Sequence, residues 1–83
     1  MSDKVTNIES PVSGTFYRRA SPEENPYVEV GDEIKRGDVV CMVESMKMFI
    51  EVRTRQGGTI QKILLQDEAP VIIGQPLFEL EVT

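Results

Sequence analysis

Lys47 is the residue of this 83-residue chain best placed to do chemistry. It is an amine between two methionines in the run Val43-Glu44-Ser45-Met46-Lys47-Met48-Phe49-Ile50-Glu51-Val52. The residues before it, Val39-Val40-Cys41-Met42-Val43, and after it, Phe49-Ile50-Glu51-Val52-Arg53, are rich in β-branched and aromatic side chains, the composition of strands. A short break between two strands reads as a tight hairpin, which would stand Lys47 at a turn with its ammonium in water. An accessible amine of this kind can take an activated acyl group. Taken alone, the pentapeptide also admits a blander reading, in which Met46 and Met48 pack the hairpin and Glu44 is surface charge.

Other chemistries are poorly supplied. The chain has no histidine, the commonest metal ligand and general base, and its one cysteine cannot form an intrachain disulfide. Glu23-Glu24 lies in a proline-bearing stretch without a visible acid, base or metal partner, so neither catalysis by this chain alone nor a metal site is expected. A formal charge of −5, with basic residues only in the short groups Arg18-Arg19, Lys35-Arg36 and Arg53 to Arg55, argues against nucleic acid. The longest apolar run, Val39 to Val43, is five residues, against the roughly 20 that a membrane helix needs. Met1-Ser2-Asp3-Lys4 shows no secretory pattern. A cytoplasmic protein without membrane partners is the expectation.

The elements that must position Lys47 are short strands. Helical periodicity is nearly absent, while apolar runs alternate with turn residues at Gly14, Gly31, Gly37, Gly57-Gly58 and Gly74. The chain also repeats itself. Ile34 to Glu44 lies over Val71 to Glu81 without a gap, with Gly37 over Gly74 and Glu44 over Glu81, and Ser13-Gly14-Thr15-Phe16 lies over Gly57-Gly58-Thr59-Ile60. In the second copy Phe78, Leu80 and Val82 alternate with Glu79 and Glu81, so the first set should face inward. Transferred to the first copy, the register sends Cys41 and Val43 in and Met42 and Glu44 out, which makes Cys41 a buried small hydrophobe. Gly37 and Gly74 are expected at turns of positive φ. From Gly14 to Ile34 is 20 residues but from Gly58 to Val71 only 13, so the first half is longer by 7. The surplus falls in the polar, proline-bearing stretch Arg18 to Pro26, which reads as a protruding loop.

Glu44-Ser45-Met46-Lys47-Met48 resembles the attachment motif of the biotinyl domains, the biotin carboxyl carrier modules of biotin-dependent carboxylases. Gly14-Thr15-Phe16-Tyr17-Arg18, Ser21-Pro22 and Val28-Glu29-Val30-Gly31 are similar to the carrier subunits of bacterial acetyl-CoA carboxylases, in which the loop near 18–26 forms a thumb. The likeness runs from about residue 9 to residue 82. It implies an all-β fold, a flattened barrel or sandwich of two four-stranded antiparallel sheets related by a pseudo-twofold, with the lysine hairpin at one end. One attachment domain over residues 1–83, ordered from about 5 to 82, is expected.

The resemblance further implies that Lys47 carries covalent biotin, placed there by a biotin protein ligase through the adenylate, with the formal charge falling from −5 to −6. Glu44, Ser45, Met46 and Met48 would serve recognition and turn shape. The module would be a non-catalytic carrier moving a carboxyl group from a biotin carboxylase to a carboxyltransferase, for acetyl-CoA carboxylation in fatty acid synthesis. Two departures stand out: Ser45 replaces the commoner alanine, and Arg19-Ala20 replaces threonine-proline in the thumb, so thumb contacts to biotin do not transfer to these residues. Three other readings are a carrier of another biotin-dependent carboxylase, a lipoyl carrier domain, or an unmodified β-barrel interaction module. Lipoyl sites usually place an acidic residue before the lysine and a small one after it, unlike the methionines here.

Overall fold

The computed structural model describes residues 4–83, so the part of the expected domain that falls on residues 1–3 lies outside the described residues. Eight strands follow in order: β1 (Lys4–Glu9), β2 (Gly14–Tyr17), β3 (Glu33–Ile34), β4 (Val39–Ser45), β5 (Met48–Arg53), β6 (Gly58–Ile63), β7 (Pro70–Val71) and β8 (Pro76–Val82). They form two four-stranded antiparallel sheets, ordered β1-β8-β6-β3 and β5-β4-β2-β7. Replacing each strand of the first half by its counterpart four places later converts one order into the other. Each half therefore contributes two strands to each sheet, and neither half could bury its apolar face alone. The sequence repeat becomes an interlocked pseudo-twofold.

The symmetry extends to individual hydrogen bonds. The Gly37 N–H donates to the Thr54 carbonyl, and its counterpart, the Gly74 N–H, to the Ser10 carbonyl, both at 2.8 Å. Asp38 Oδ2 accepts from the Lys35 N–H at 2.8 Å where Gln75 Oε1 accepts from the Ile72 N–H at 2.9 Å. Gly37 and Gly74 have φ of 94° and 85°, as the turn assignment requires.

The core runs between the sheets. Phe16, Cys41, Val43, Ile60, Leu77, Phe78 and Leu80 are fully buried, with Phe16 and Phe78 edge-on at 6.0 Å. The inward set thus includes Cys41 and Val43 as expected, while Val82 is only half-buried. Strict alternation also fails at equivalent places in the two halves, where Val40 and Leu77 are buried beside Cys41 and Phe78, and again in β6, where the register skips Gln61 and both Gln61 and Lys62 are exposed. At Val40 and Leu77 the cause is a pair of equivalent bulges. The β4–β5 register steps from Val39↔Arg53 to Cys41↔Val52, skipping Val40, and the β1–β8 register steps from Ile8↔Phe78 to Glu9↔Pro76, skipping Leu77. A bulge inserts one residue and turns two consecutive side chains toward the same face.

The register places the ends of the barrel. At one end lie the β4–β5 link, Gly14 and, across from it, Val71; at the other Lys4, Gly58 and Val82 share a row. The long axis measures 44 Å. No helix occurs among the described residues, hence none long and apolar enough to cross a membrane.

Candidate functional site

The site is built on the β4–β5 hairpin. Ser45 and Met48 form the last pair, leaving Met46 and Lys47 as a two-residue loop with φ of 52° and 65°. Positive φ at both central positions is the type I′ geometry, whose twist matches the flanking strands. Asn-Gly is the sequence that adopts it cheaply; Met-Lys does so at a conformational cost of about 1–2 kcal/mol per residue. Strain of this kind is found where function needs a fixed presentation. The tip is also stripped of cover: Lys47 is exposed, Met46 is 93% and Met48 65% exposed. The methionines therefore do not pack the hairpin; they flank the amine in solvent.

Beneath the tip, the outer face of the sheet carries Glu44 in a row with Thr15 and Phe49. Glu44 is half-buried rather than free surface charge. Its Oε1 accepts a hydrogen bond from the Tyr17 hydroxyl at 3.2 Å, and the Tyr17 ring lies 6.0 Å from that of Phe49. Burial, followed by the bond to Glu44, raises the Tyr17 pKa, so the phenol keeps its proton and remains the donor. Tyr17 and Phe49 are members of the site that sequence reasoning missed. The available signal was their outward register in strands whose other outward residues are polar.

The loop after β2 stands over this face. Its base is closed by the Tyr27 N–H donating to the Arg18 carbonyl at 2.9 Å. Arg18 ties it down further, with Nη2 donating to the Val28 carbonyl and to Glu29 Oε1, both at 3.1 Å, and its own N–H donating to Asp67 Oδ1 at 2.8 Å. Between Ala20-Ser21-Pro22 and the Tyr17–Phe49 pair lies a cleft, edged by Asp67 and Glu68. Arg19 is spent on the loop itself, donating to the Glu24 carbonyl at 3.2 Å and facing Asp67 at 3.9 Å. Glu68 has φ of 70°, where its counterpart in the first half is Gly31 at 96°.

Cys41 takes no part in this surface. It is buried in the core, and desolvation pushes its thiol up to about 12, leaving it protonated and inert at neutral pH.

Two interlocked β-halves raising a lysine on a strained two-residue tip define a small β-sandwich domain that presents one exposed amine. Comparison with known proteins agrees: the model of the family described as Biotin-requiring enzyme matches residues 6–80, and the chain belongs to that family. It is similar to the "Biotin carboxyl carrier protein of acetyl-CoA carboxylase" of Pseudomonas aeruginosa, at 47% identity over 73 residues, covering 88% of this chain and 47% of that protein. It is also similar to the "Biotin carboxyl carrier protein of acetyl-CoA carboxylase 2, chloroplastic" of Arabidopsis thaliana, at 44% identity, covering 86% of this chain and 28% of that one. The chain thus spans under half the length of either relative. Among solved structures, urea carboxylase of Kluyveromyces lactis superposes with a TM-score of 0.76 at 25% identity, covering 96% of this chain and 6% of the enzyme.

Proposed function

We propose that this chain is the biotin-bearing carrier module of a biotin-dependent carboxylase, one attachment domain with Lys47 as the acylated residue. The observation that carries the reading is the position of Lys47: an exposed amine on a type I′ tip, flanked by exposed methionines, at the end of the barrel away from Lys4 and Val82. The residues fit the group. An acyl arm on Nζ meets no covering side chain at the tip, and Glu44, Ser45, Met46 and Met48 offer a polar and an apolar patch for an acylating enzyme to grip.

In the attachment step the neutral Nζ attacks the carbonyl of an acyl adenylate, forming an amide and releasing AMP and a proton. Bound biotin supplies a ureido nitrogen that carries a carboxyl group. The chain itself contributes the tether: the rigid sheet fixes the anchor, and attachment keeps the arm at high effective concentration near each partner's active site. The partners in this reading are a biotin protein ligase, a biotin carboxylase and a carboxyltransferase, with catalysis residing in them.

The names of the relatives, carriers of acetyl-CoA carboxylase at 47% and 44% identity, support acetyl-CoA as the acceptor and fatty acid synthesis as the setting. Methionines on both sides of Lys47 support biotin over a lipoyl group. The test is intact mass after coexpression with a biotin protein ligase or, separately, with a lipoate ligase. One added biotinyl group in the first case and an unchanged mass in the second are expected; the reverse pattern, or no modification by either, would overturn the reading.

A further inference from the structure

We propose that Tyr17 is a positioning residue for the acylation of Lys47, acting through Glu44; the inference rests on the carrier reading above. Two contacts lead there. The Tyr17 hydroxyl reaches Glu44 Oε1 at 3.2 Å across the β2–β4 pair, although the two residues are 27 apart in sequence. Its ring packs against Phe49, which pairs with Glu44 from the other side on β5. Tyr17 thus touches both strands of the lysine hairpin from the outer face of the sheet. It is also the last residue of β2, and Arg18 beyond it is pinned to Asp67 and Glu29, so its backbone is held at a fixed height beneath the tip.

The consequence concerns the direction of a charge. A glutamate on a strand samples several rotamers when free; the phenol holds one oxygen of Glu44 and fixes where the other points. Among the described residues Oε1 alone is bonded. Oε2 remains for a partner, and a carboxylate oxygen held in place next to a strained tip is suited to a cationic side chain or an N–H of the acylating enzyme. Tyr17 pre-arranges that contact and so lowers the ordering cost of docking. It touches neither the amine nor the acyl donor, so its effect falls on recognition of the carrier and not on the chemical step.

The experiment is steady-state acylation of the unmodified protein by a biotin protein ligase with biotin and ATP, varying the carrier concentration. Tyr17→Phe keeps the ring against Phe49 and removes the hydroxyl. Ordering a freed glutamate on docking costs about 0.5–1.5 kcal/mol, about twofold to twelvefold in an equilibrium, so the variant should raise KM for the carrier about fivefold and leave kcat unchanged. Glu44→Ala should raise KM at least as much. The double variant should be no worse than Glu44→Ala alone, since the tyrosine has nothing left to hold. Glu44→Gln, which keeps the bond and loses the charge, should also raise KM, and it tests the contact even if Tyr17→Phe folds poorly.

Wild-type KM for Tyr17→Phe, or penalties that multiply in the double variant, would overturn the proposal, as would wild-type KM for Glu44→Gln. A tyrosine that only braces the fold would shift the urea midpoint and leave KM in place. Failure of the wild-type protein to accept biotin would instead sink the carrier reading itself.

Discussion

Gly14 and Gly58 occupy equivalent places in the two halves, and adding one methyl group to each should cost nearly the same stability while only one of them damages the site. A Cβ at Gly14 would lie 2.0 Å from the Glu44 carbonyl oxygen, and one at Gly58 2.2 Å from that of Glu81. Real contacts of this kind stay above 3.0 Å, so β2 must move off β4, or β6 off β8, by about an ångström. Neither obstacle is a side chain that can rotate away. Overpacking of this sort costs about 1–3 kcal/mol, and stretching two ladder hydrogen bonds adds about 1 kcal/mol each. The sum, about 3–5 kcal/mol, is a large share of the roughly 4–12 kcal/mol that a domain of this size possesses.

Gly37→Ala is the control. Its Cβ would meet nothing within 4 Å, but φ is 94°, so only the conformational penalty of about 1–2 kcal/mol applies. Urea denaturation followed by circular dichroism should rank Gly14→Ala and Gly58→Ala together, both well below Gly37→Ala. Acylation measured on the folded fraction should then fall for Gly14→Ala, whose clash displaces Glu44, and hold for Gly58→Ala. A Gly14→Ala midpoint equal to that of the wild type, or a smaller loss than for Gly37→Ala, would rule out the backbone clash.

Replacing Met46-Lys47 by Asn-Gly relieves a type I′ turn of two unfavourable residues, about 2–4 kcal/mol of strain less the roughly 0.4–1 kcal/mol of unfolded-state entropy that the glycine adds, so stability should rise by about 1–3 kcal/mol while acylation is abolished; a lower urea midpoint would contradict the turn geometry. Glu68→Gly restores the residue type of its counterpart Gly31 at φ of 70°, and relief of about 1–2 kcal/mol of strain should outweigh the roughly 0.4–1 kcal/mol of added unfolded-state entropy, a net gain seen as a raised Tm. The Cys41 thiol, at about 12 when folded against an ordinary value of 9.0, binds its proton more tightly in the folded state. Its contribution is therefore complete below pH 9 and lost as pH rises toward 12, by up to roughly 4 kcal/mol. Cys41→Ala should lose stability less steeply than the wild type over that range in pH-dependent urea titrations, and parallel slopes would count against the burial argument.

The lysine hairpin and the doubled barrel were legible because each leaves a local signature: β-rich runs on either side of a break at Lys47, and Gly37 over Gly74 with Glu44 over Glu81. Burial of Cys41 followed from copying the register of one half onto the other. Positions where two elements meet were not legible. The bulges at Val40 and Leu77 look in sequence like ordinary apolar runs, since alternation tells which face a residue takes only while pairing is regular. Gly14 over Gly58 appeared as repetition, but the carbonyls that exclude a Cβ there lie on other strands. Glu68 in the place of Gly31 was invisible because a glutamate does not announce a positive φ. The Tyr17–Glu44 bond joins residues 27 apart, and nothing in either neighbourhood foretold it.

The most direct test of the account is to coexpress the wild-type protein and Lys47→Arg with a biotin protein ligase, pass both over streptavidin, and map the modified residue by peptide mass. Retention of the wild type with the biotinyl group on Lys47, none on Lys4, Lys35 or Lys62, and no retention of an equally stable Lys47→Arg protein is the predicted result. Retention of Lys47→Arg, or a biotinyl group on another lysine of the wild type, would contradict it.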